Sequence, residues 1–187
     1  MLLRSVGLET QSFADAESFL DGYRPELPGC LLLDVRMPRV SGLELQQELN
    51  RRHFTLPIIF VTGHGDVPMA VEAMRAGAVD FLQKPFNDED LIRRVQRAIA
   101  QDARERQVLK GREEIRARWA SLTPREQEVA ERLVDGQLNK AIAHEMGISE
   151  RTVELHRAHV MRKMETRAFA HLVQMLLVLR EGNTTSS

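Results

Sequence analysis

The 187-residue sequence is poor in cysteine and in aromatic residues, with one Cys, one Trp and one Tyr. Because Cys30 has no second cysteine to pair with, an internal disulfide is excluded, and we expect a protein of the reducing cytoplasm. No apolar run approaches the roughly 18 residues that a membrane span requires, so no membrane partner is expected. With a net charge of -1 the chain has no general attraction to nucleic acid, and any DNA binding must depend on local charge.

The first half of the sequence does contain a regular alternation of strand and helix patterns. Two continuous apolar runs, 30–33 and 58–61, are typical of strands that are buried on both faces, and a third strand is predicted at 79–82. A shorter strand is predicted at 10–13. Amphipathic stretches between these runs predict helices: 14–23, 41–52, 67–76 and 88–100. Strands that alternate with helices imply right-handed crossovers and a parallel sheet, which predicts an α/β domain.

A polar side chain stands just past the end of each of these three predicted strands. Asp34, Thr62 and Lys84 are therefore placed at the carboxyl ends of predicted strands, where open parallel sheets bind their ligands. A carboxylate there can act as a nucleophile and form an acyl phosphate, while an ammonium and a hydroxyl hold the added oxygens. Each residue alone would more often be a turn or surface residue, so the predicted phosphoryl site depends on the three together.

Three segments resemble the receiver domain of two-component response regulators in residues and in spacing: LLLDVRMP at 31–38, IIFVTG at 58–63 and FLQKPF at 81–86. The resemblance implies a doubly wound, flavodoxin-like fold and a sensor histidine kinase as phosphoryl donor. It further implies Asp34 as the phosphoacceptor, Thr62 as the switch hydroxyl and Phe81 as the rotating aromatic ring. Lys84 would be the phosphoryl-binding lysine, and its peptide bond to Pro85 would be cis.

The sequence departs from the family at its beginning. Receiver domains start with a buried strand that ends in two acidic residues, and neither is found here, so the segment at 10–13 loses its partner strand. Asp34 alone is a poor ligand set for Mg²⁺, the cofactor expected of a complete receiver. Two explanations are open: a start set at an internal methionine, which we favour, or a true truncation with damaged phosphorylation. An in-frame strand with two acidic codons upstream of Met1 would decide between them.

The pattern of the chain changes after residue 100. Residues 101–118 are charged and helical in propensity, and everything from Ser121 onward is helical with short breaks. We therefore divide the chain into a receiver domain at 1–102 that is incomplete at its N-terminus, a helical linker at 103–120 and an all-α, four-helix domain at 121–187.

The all-α part has the pattern of a helix-turn-helix. Thr123 can cap the first helix, Pro124 fits its first position and Glu126 completes a capping box. A second helix is predicted at 139–146, and after a tight turn Ser149 can cap the third. Three segments resemble the LuxR-type helix-turn-helix: LTPRE at 122–126, NKAIA at 139–143 and TVELHR at 152–157. The last helix, predicted at 167–179, implies by this resemblance a face for packing and dimerisation.

The third helix of this part has two distinct faces. Val153, Val160 and Met164 recur at helical spacing and should pack inward. The opposite side would enter the major groove of DNA: Arg151, Glu154, Leu155, Ala158 and Arg162. Further DNA contacts, mostly to phosphates, are predicted for Lys140, Thr152, His156, Arg157 and Lys163. Glu154 could accept a hydrogen bond from a cytosine amino group, and this acidic residue resembles the FixJ-like branch of the family.

These features predict a DNA-binding response regulator of the FixJ/NarL type. A kinase would phosphorylate Asp34, and the homodimer would bind promoter DNA, with RNA polymerase as a further candidate partner. Two alternatives stay open: a phosphorylation-independent DNA-binding regulator, because the acidic pair is missing, or a receiver-type protein-interaction adaptor. An enzyme is not predicted, because the sequence has no cofactor loop, metal cluster or nucleophile–base pair.

Overall fold

A computed structural model describes residues 2–24, 27–63 and 67–184. The chain divides into two compact units, the N-terminal unit Met1–Arg106 and the C-terminal unit Gln107–Ser187. Within the described residues, no helix combines the length and the apolar character that crossing a membrane requires.

The sheet of the N-terminal unit consists, within the described residues, of three parallel strands: β1 (Leu31–Leu33), β2 (Ile58–Thr62) and β3 (Asp80–Gln83). β2 lies between the other two strands, with Leu33 paired to Phe60 and Thr62 paired to Gln83. Ile59 and Phe60 are both completely buried, each in a different apolar cluster, because successive side chains of a strand point to opposite faces. The predicted parallel sheet, buried on both faces, is confirmed.

The first helix of this unit is a short one, α1 (Leu2–Ser5), that no predicted stretch covers. The next three follow the predicted stretches closely: α2 (Ala16–Gly22), α3 (Gly42–Arg51) and α4 (Val67–Arg75). The last, α5 (Asp88–Ala120), begins where it is predicted to begin. Ser41 caps α3 in a capping box with Glu44, which satisfies backbone N–H groups at the start of the helix. Gly77 follows α4 with a φ of 94°, a left-handed conformation that glycine adopts without strain. The helix predicted at 88–100 continues through the charged linker segment and ends only at Ala120.

The segment 10–13, predicted as a strand, is not a strand in the structure. The Arg4 guanidinium holds this segment by donating to the Thr10 hydroxyl at 2.7 Å and to the Thr10 carbonyl at 3.0 Å. Among the described residues, no strand pairs with it. Local β propensity does not form a strand without a neighbour that supplies the ladder of N–H and C=O partners.

The C-terminal unit carries the predicted helices after the end of α5: α6 (Pro124–Val134), α7 (Asn139–Met146), α8 (Glu150–Lys163) and α9 (Phe169–Thr184). The Thr123–Glu126 capping box and the Ser149 cap stand where the sequence predicts them. Gly147, in the tight turn predicted between α7 and α8, is left-handed with a φ of 65°. α9 begins two residues later than predicted, after a turn in which the Ala168 N–H donates to the Thr166 hydroxyl at 3.3 Å. It also ends later than predicted.

The core of this unit is built around α8. Val153, Val160 and Met164 are completely buried, which confirms the predicted inward face of the helix. Val153 packs with residues of α6 and α7, whereas Val160 and Met164 pack in a second cluster with α6, α9 and the half-buried Trp119. The unit therefore presents α8 with one face anchored and the other free for solvent or a partner.

Gly42 marks a close approach between α3 and the end of β1. An added Cβ would lie 2.3 Å from the Asp34 carbonyl oxygen and 3.0 Å from the Phe60 ring. We expect Gly42→Ala to destabilise the N-terminal unit by about 1–3 kcal/mol, the usual cost of overpacking. Hydrogen exchange at the β2 amides would measure the loss. Gly63→Ala is the matched control, because no atom of the described residues beyond its chain neighbours lies within 4 Å of its added Cβ. Equal exchange rates in the two variants would contradict the expectation.

Candidate functional sites

The carboxyl edge of the sheet brings together the residues that follow or end the three strands. Lys84 Nζ lies 3.5 Å from Asp34 Oδ2, and the Lys84 backbone N–H donates to the Thr62 carbonyl at 2.8 Å. The side chains of Asp34 and Lys84 are 40% and 51% exposed, so a phosphoryl donor in solvent can reach the carboxylate. The Thr62 residue, in contrast, is buried. The side chains of Asp34 and Lys84, predicted to converge, thus lie side by side, and Thr62 ends β2 at the same edge of the sheet.

The Asp34 carboxylate is oriented by its surroundings. Its Oδ1 accepts the backbone N–H of Arg36 at 3.1 Å, while Oδ2 faces Lys84. The Lys84–Pro85 peptide bond, which precedes a turn beside this site, is cis as the resemblance implies. A half-exposed carboxylate beside an ammonium can accept a phosphoryl group, because the ammonium compensates the added negative charge.

Two further residues shape this edge. The Phe81 ring, half-buried on β3, lies 6.2 Å from the Phe60 ring between centroids and is tilted by 33° to it. Gly42 was not identified from the sequence, although its missing side chain lets α3 approach the Asp34 carbonyl. A glycine directly after the helix-capping Ser41 is the pattern that could have pointed to it.

The outward face of α8 forms a candidate nucleic-acid interface. The predicted major-groove residues are all exposed: Arg151, Glu154, Leu155, Ala158 and Arg162. Three of them, Arg151, Glu154 and Leu155, line a shallow concavity of about 430 Å³. This face is free of the buried apolar contacts that anchor the other side of the helix.

The predicted phosphate-contacting residues differ in their surroundings. Lys140 is exposed in the first turn of α7, and the Thr152 hydroxyl lies 2.8 Å from the Ser149 hydroxyl at the start of α8. The Arg157 guanidinium lies over the Phe169 ring, 5.5 Å from its centroid, in a cation–π contact that leaves the residue exposed. His156 is half-buried, and its Nδ1 has no hydrogen-bond partner in the described part of the chain.

Lys163 is placed differently from its sequence-based prediction as a phosphate contact. Its ammonium donates to Glu126 Oε2 at 2.7 Å and to the Ser121 carbonyl at 3.3 Å. The same Glu126 oxygen accepts the Thr123 backbone N–H at 2.8 Å, and His159 Nδ1 lies 3.4 Å from the other carboxylate oxygen. Sequence reasoning missed this ion pair because its members are separated by 37 positions and no local pattern links them.

Comparison with known proteins identifies both units. The family described as "Response regulator receiver domain" matches residues 1–96, and the family described as "Bacterial regulatory proteins, luxR family" matches residues 120–176. The chain belongs to the two-component response regulators that combine a receiver domain with a LuxR-type DNA-binding domain. This confirms the resemblance, the flavodoxin-like and all-α fold classes and the class of function predicted from the sequence.

Individual relatives match along most of the chain. Nodulation protein W of Bradyrhizobium diazoefficiens is 45% identical over 93% of this chain and 77% of that protein. The transcriptional regulatory protein FixJ of Azorhizobium caulinodans is 48% identical over 95% of this chain and 84% of that protein. Among solved structures, the response regulator StyR matches with a TM-score of 0.87 at 44% identity, over 94% of this chain and 88% of that one.

Receiver domains generally bind Mg²⁺ at the phosphorylation site. Within residues 2–24, 27–63 and 67–184, no group of three or more His, Cys, Asp or Glu side chains could hold a metal ion. Asp34 contributes one carboxylate, and one of its oxygens already faces the Lys84 ammonium. Because Mg²⁺ requires octahedral oxygen coordination, the described side chains do not fit a magnesium site by themselves.

The groups around Glu126 hold its carboxylate in the charged form. Burial raises the pKa of Glu126, but hydrogen bonds from Lys163 and from the Thr123 backbone outweigh this and lower the pKa from 4.5 to about 2. A carboxylate whose pKa is lowered by folding stabilises the fold above its unfolded pKa. Its contribution is lost as the pH falls from about 4.5 towards 2.

We therefore expect Glu126→Gln to lower the free energy of unfolding by about 1–3 kcal/mol at neutral pH, with the deficit shrinking as the pH falls towards 2. The fluorescence of Trp119, the sole tryptophan, reports on this unit. Glu114→Gln is the control, because Glu114 is exposed on α5 and has no ion pair among the described residues. A deficit for Glu126→Gln that stays constant across this pH range would contradict the expectation.

Proposed function

We propose that this protein is a phosphorylation-controlled transcription regulator in which Asp34 accepts a phosphoryl group and α8 reads promoter DNA. The observation that carries the proposal is the meeting of the Asp34 and Lys84 side chains, 3.5 Å apart, at the edge of the sheet where β2 ends with Thr62. Membership of the response-regulator family supports a sensor histidine kinase as the donor.

The chemistry at Asp34 is a displacement at phosphorus. A carboxylate oxygen attacks the phosphorus of a phosphohistidine on the kinase, so that an O–P bond forms while the P–N bond breaks. The departing imidazole nitrogen takes up a proton, and the product is an acyl phosphate on Asp34. The Lys84 ammonium pairs with the added phosphoryl oxygens, and the Thr62 hydroxyl donates to one of them after moving towards the site with Phe81.

The outcome of phosphorylation would be dimerisation through the face that contains α4, β3 and the first part of α5. Val67, Val71 and Met74 recur on α4 at helical spacing and are all exposed, and an apolar patch of this kind often marks an interface. A dimer places two copies of α8 on two half-sites of DNA.

The proposed DNA surface consists of the outward residues of α8 and the start of α7: Lys140, Arg151, Thr152, Glu154, Leu155, His156, Arg157, Ala158 and Arg162. Arg151 and Glu154 would read base edges, with Glu154 accepting from a cytosine amino group. Lys163 is left out of this surface because its ammonium is engaged with Glu126. RNA polymerase remains a candidate partner of the DNA-bound dimer.

Phosphorylation of Asp34 is expected to change the oligomeric state. Incubation with acetyl phosphate, with and without magnesium chloride, should add one phosphoryl group by intact mass and shift the sedimentation profile towards dimer. Asp34→Asn should abolish both changes, because an amide oxygen is a poor nucleophile. Asp21→Asn, at an exposed position of α2, is the matched control. DNA binding without any incorporation at Asp34 would instead favour the phosphorylation-independent alternative.

Lys140 is expected to contact a DNA phosphate. Lys140→Ala should weaken binding to all sequences alike and reduce the slope of log affinity against log salt by about 1. Fluorescence anisotropy with a duplex selected from a randomised pool would measure both quantities. Lys110→Ala removes the same charge from an exposed position of α5 and should leave the slope unchanged. A chain that selects no duplex would favour the protein-interaction adaptor.

A further inference from the structure

We propose that Glu126 and Lys163 are positioning residues, which set the orientation of α8 on DNA without touching DNA themselves. This inference rests on the proposed function, because it concerns how the same helix reads promoter DNA. It assigns to Lys163 a role opposite to the phosphate contact predicted from its charge and place in the sequence.

The pair joins the first turn of α6 to the last turn of α8. The Glu126 side chain is only 5% exposed and that of Lys163 is 30% exposed, with 2.7 Å between Oε2 and Nζ. The same carboxylate is held by the Thr123 backbone at the start of α6, and the same ammonium also reaches the Ser121 carbonyl. Each charged group thus has more than one partner, so the two helix ends are fixed in direction as well as in distance.

Lys163 has a strong reason to stay with Glu126 when DNA is present. If its ammonium turned to a phosphate, the Glu126 carboxylate would remain buried without its main positive partner. Leaving one member of a buried ion pair unpaired is strongly unfavourable, because the remaining charge has nothing to compensate it. His159 Nδ1, 3.4 Å from Glu126 Oε1, approaches the same carboxylate from one turn earlier on α8.

The position of this pair gives it influence over the residues that face DNA. Arg151 and Lys163 stand at opposite ends of α8, about 18 Å apart along the helix axis at 1.5 Å per residue. A small tilt at the Lys163 end therefore displaces Arg151 and Glu154 relative to the base edges. The apolar contacts of Val153 and Val160 tolerate small rotations, but the directional bonds at Glu126 do not.

Glu126→Gln distinguishes positioning from direct contact by the sign of its effect. Glutamine can complete a capping box with Thr123, so the start of α6 is retained while the charge is lost. If Lys163 were a phosphate contact, removing its internal partner and one negative charge would tighten DNA binding and steepen its salt dependence. If the pair positions α8, the same substitution weakens binding to the selected duplex.

The test uses the full-length chain, a duplex selected by it from a randomised pool and a random-sequence duplex of equal length. We expect Glu126→Gln and Lys163→Met each to reduce affinity for the selected duplex at least about threefold, with the salt slope unchanged. Affinity for the random duplex should change little. Lys163→Arg should keep the affinity for the selected duplex, because arginine can also pair with Glu126. The double variant Glu126→Gln/Lys163→Met should lose no more affinity than the single variant that binds more weakly. Lys110→Met is the matched control.

Binding is measured at a temperature at which Trp119 fluorescence shows every variant to be folded, so a loss of stability alone leaves the ratio of selected to random affinity unchanged. An unchanged ratio would overturn the positioning role. A slope reduced by about 1 in Lys163→Met, or tighter binding by Glu126→Gln, would also overturn it. If the unchanged chain selects no duplex at all, the proposed function fails and this inference fails with it.

Discussion

The parallel pairing of β1, β2 and β3 is the constraint on which the N-terminal unit depends. Parallel strands begin and end at common edges, so the register that pairs Leu33 with Phe60 and Thr62 with Gln83 also brings Asp34 beside Lys84. These two residues are 50 positions apart in sequence and 3.5 Å apart in space. The site needs no dedicated loop to assemble it, because the sheet that forms the core also aligns its polar residues.

Internal ion pairs decide which charges of the C-terminal unit are available to a partner. From Ser121 onward, basic and acidic residues are equal in number, yet several of the basic ones are committed inside the unit. Arg132 pairs with Glu128 and Glu145, and Lys163 pairs with Glu126. Arg151 and Arg162 stay on the exposed face of α8 without an ion pair among the described residues. Pairing therefore leaves Arg151 and Arg162, rather than Arg132 and Lys163, available to a partner, and composition alone does not reveal this difference.

Apart from the meeting of Asp34 and Lys84, which follows from the parallel sheet, the features that could be predicted from the sequence are those set by neighbours in the chain. Buried strands, the capping box at Thr123 and the tight turn at Gly147 depend on patterns only a few residues long. The strand expected at 10–13 failed because a strand needs a partner, and the ion pair of Lys163 was missed because its partner Glu126 lies in another helix. Likewise, Gly42 matters only once α3 has packed against β1.

Glu126 both completes the capping box with Thr123 and pairs with Lys163, and together these two interactions restrict which residue can stand at position 126. The capping box accepts either glutamate or glutamine, while the pair with Lys163 requires a negative charge. Aspartate keeps the charge but is one methylene too short to reach both the Thr123 backbone and the Lys163 ammonium from the same backbone position. Position 126 is thus left with a single fully adequate residue, whereas its partner position can accept either long cationic side chain.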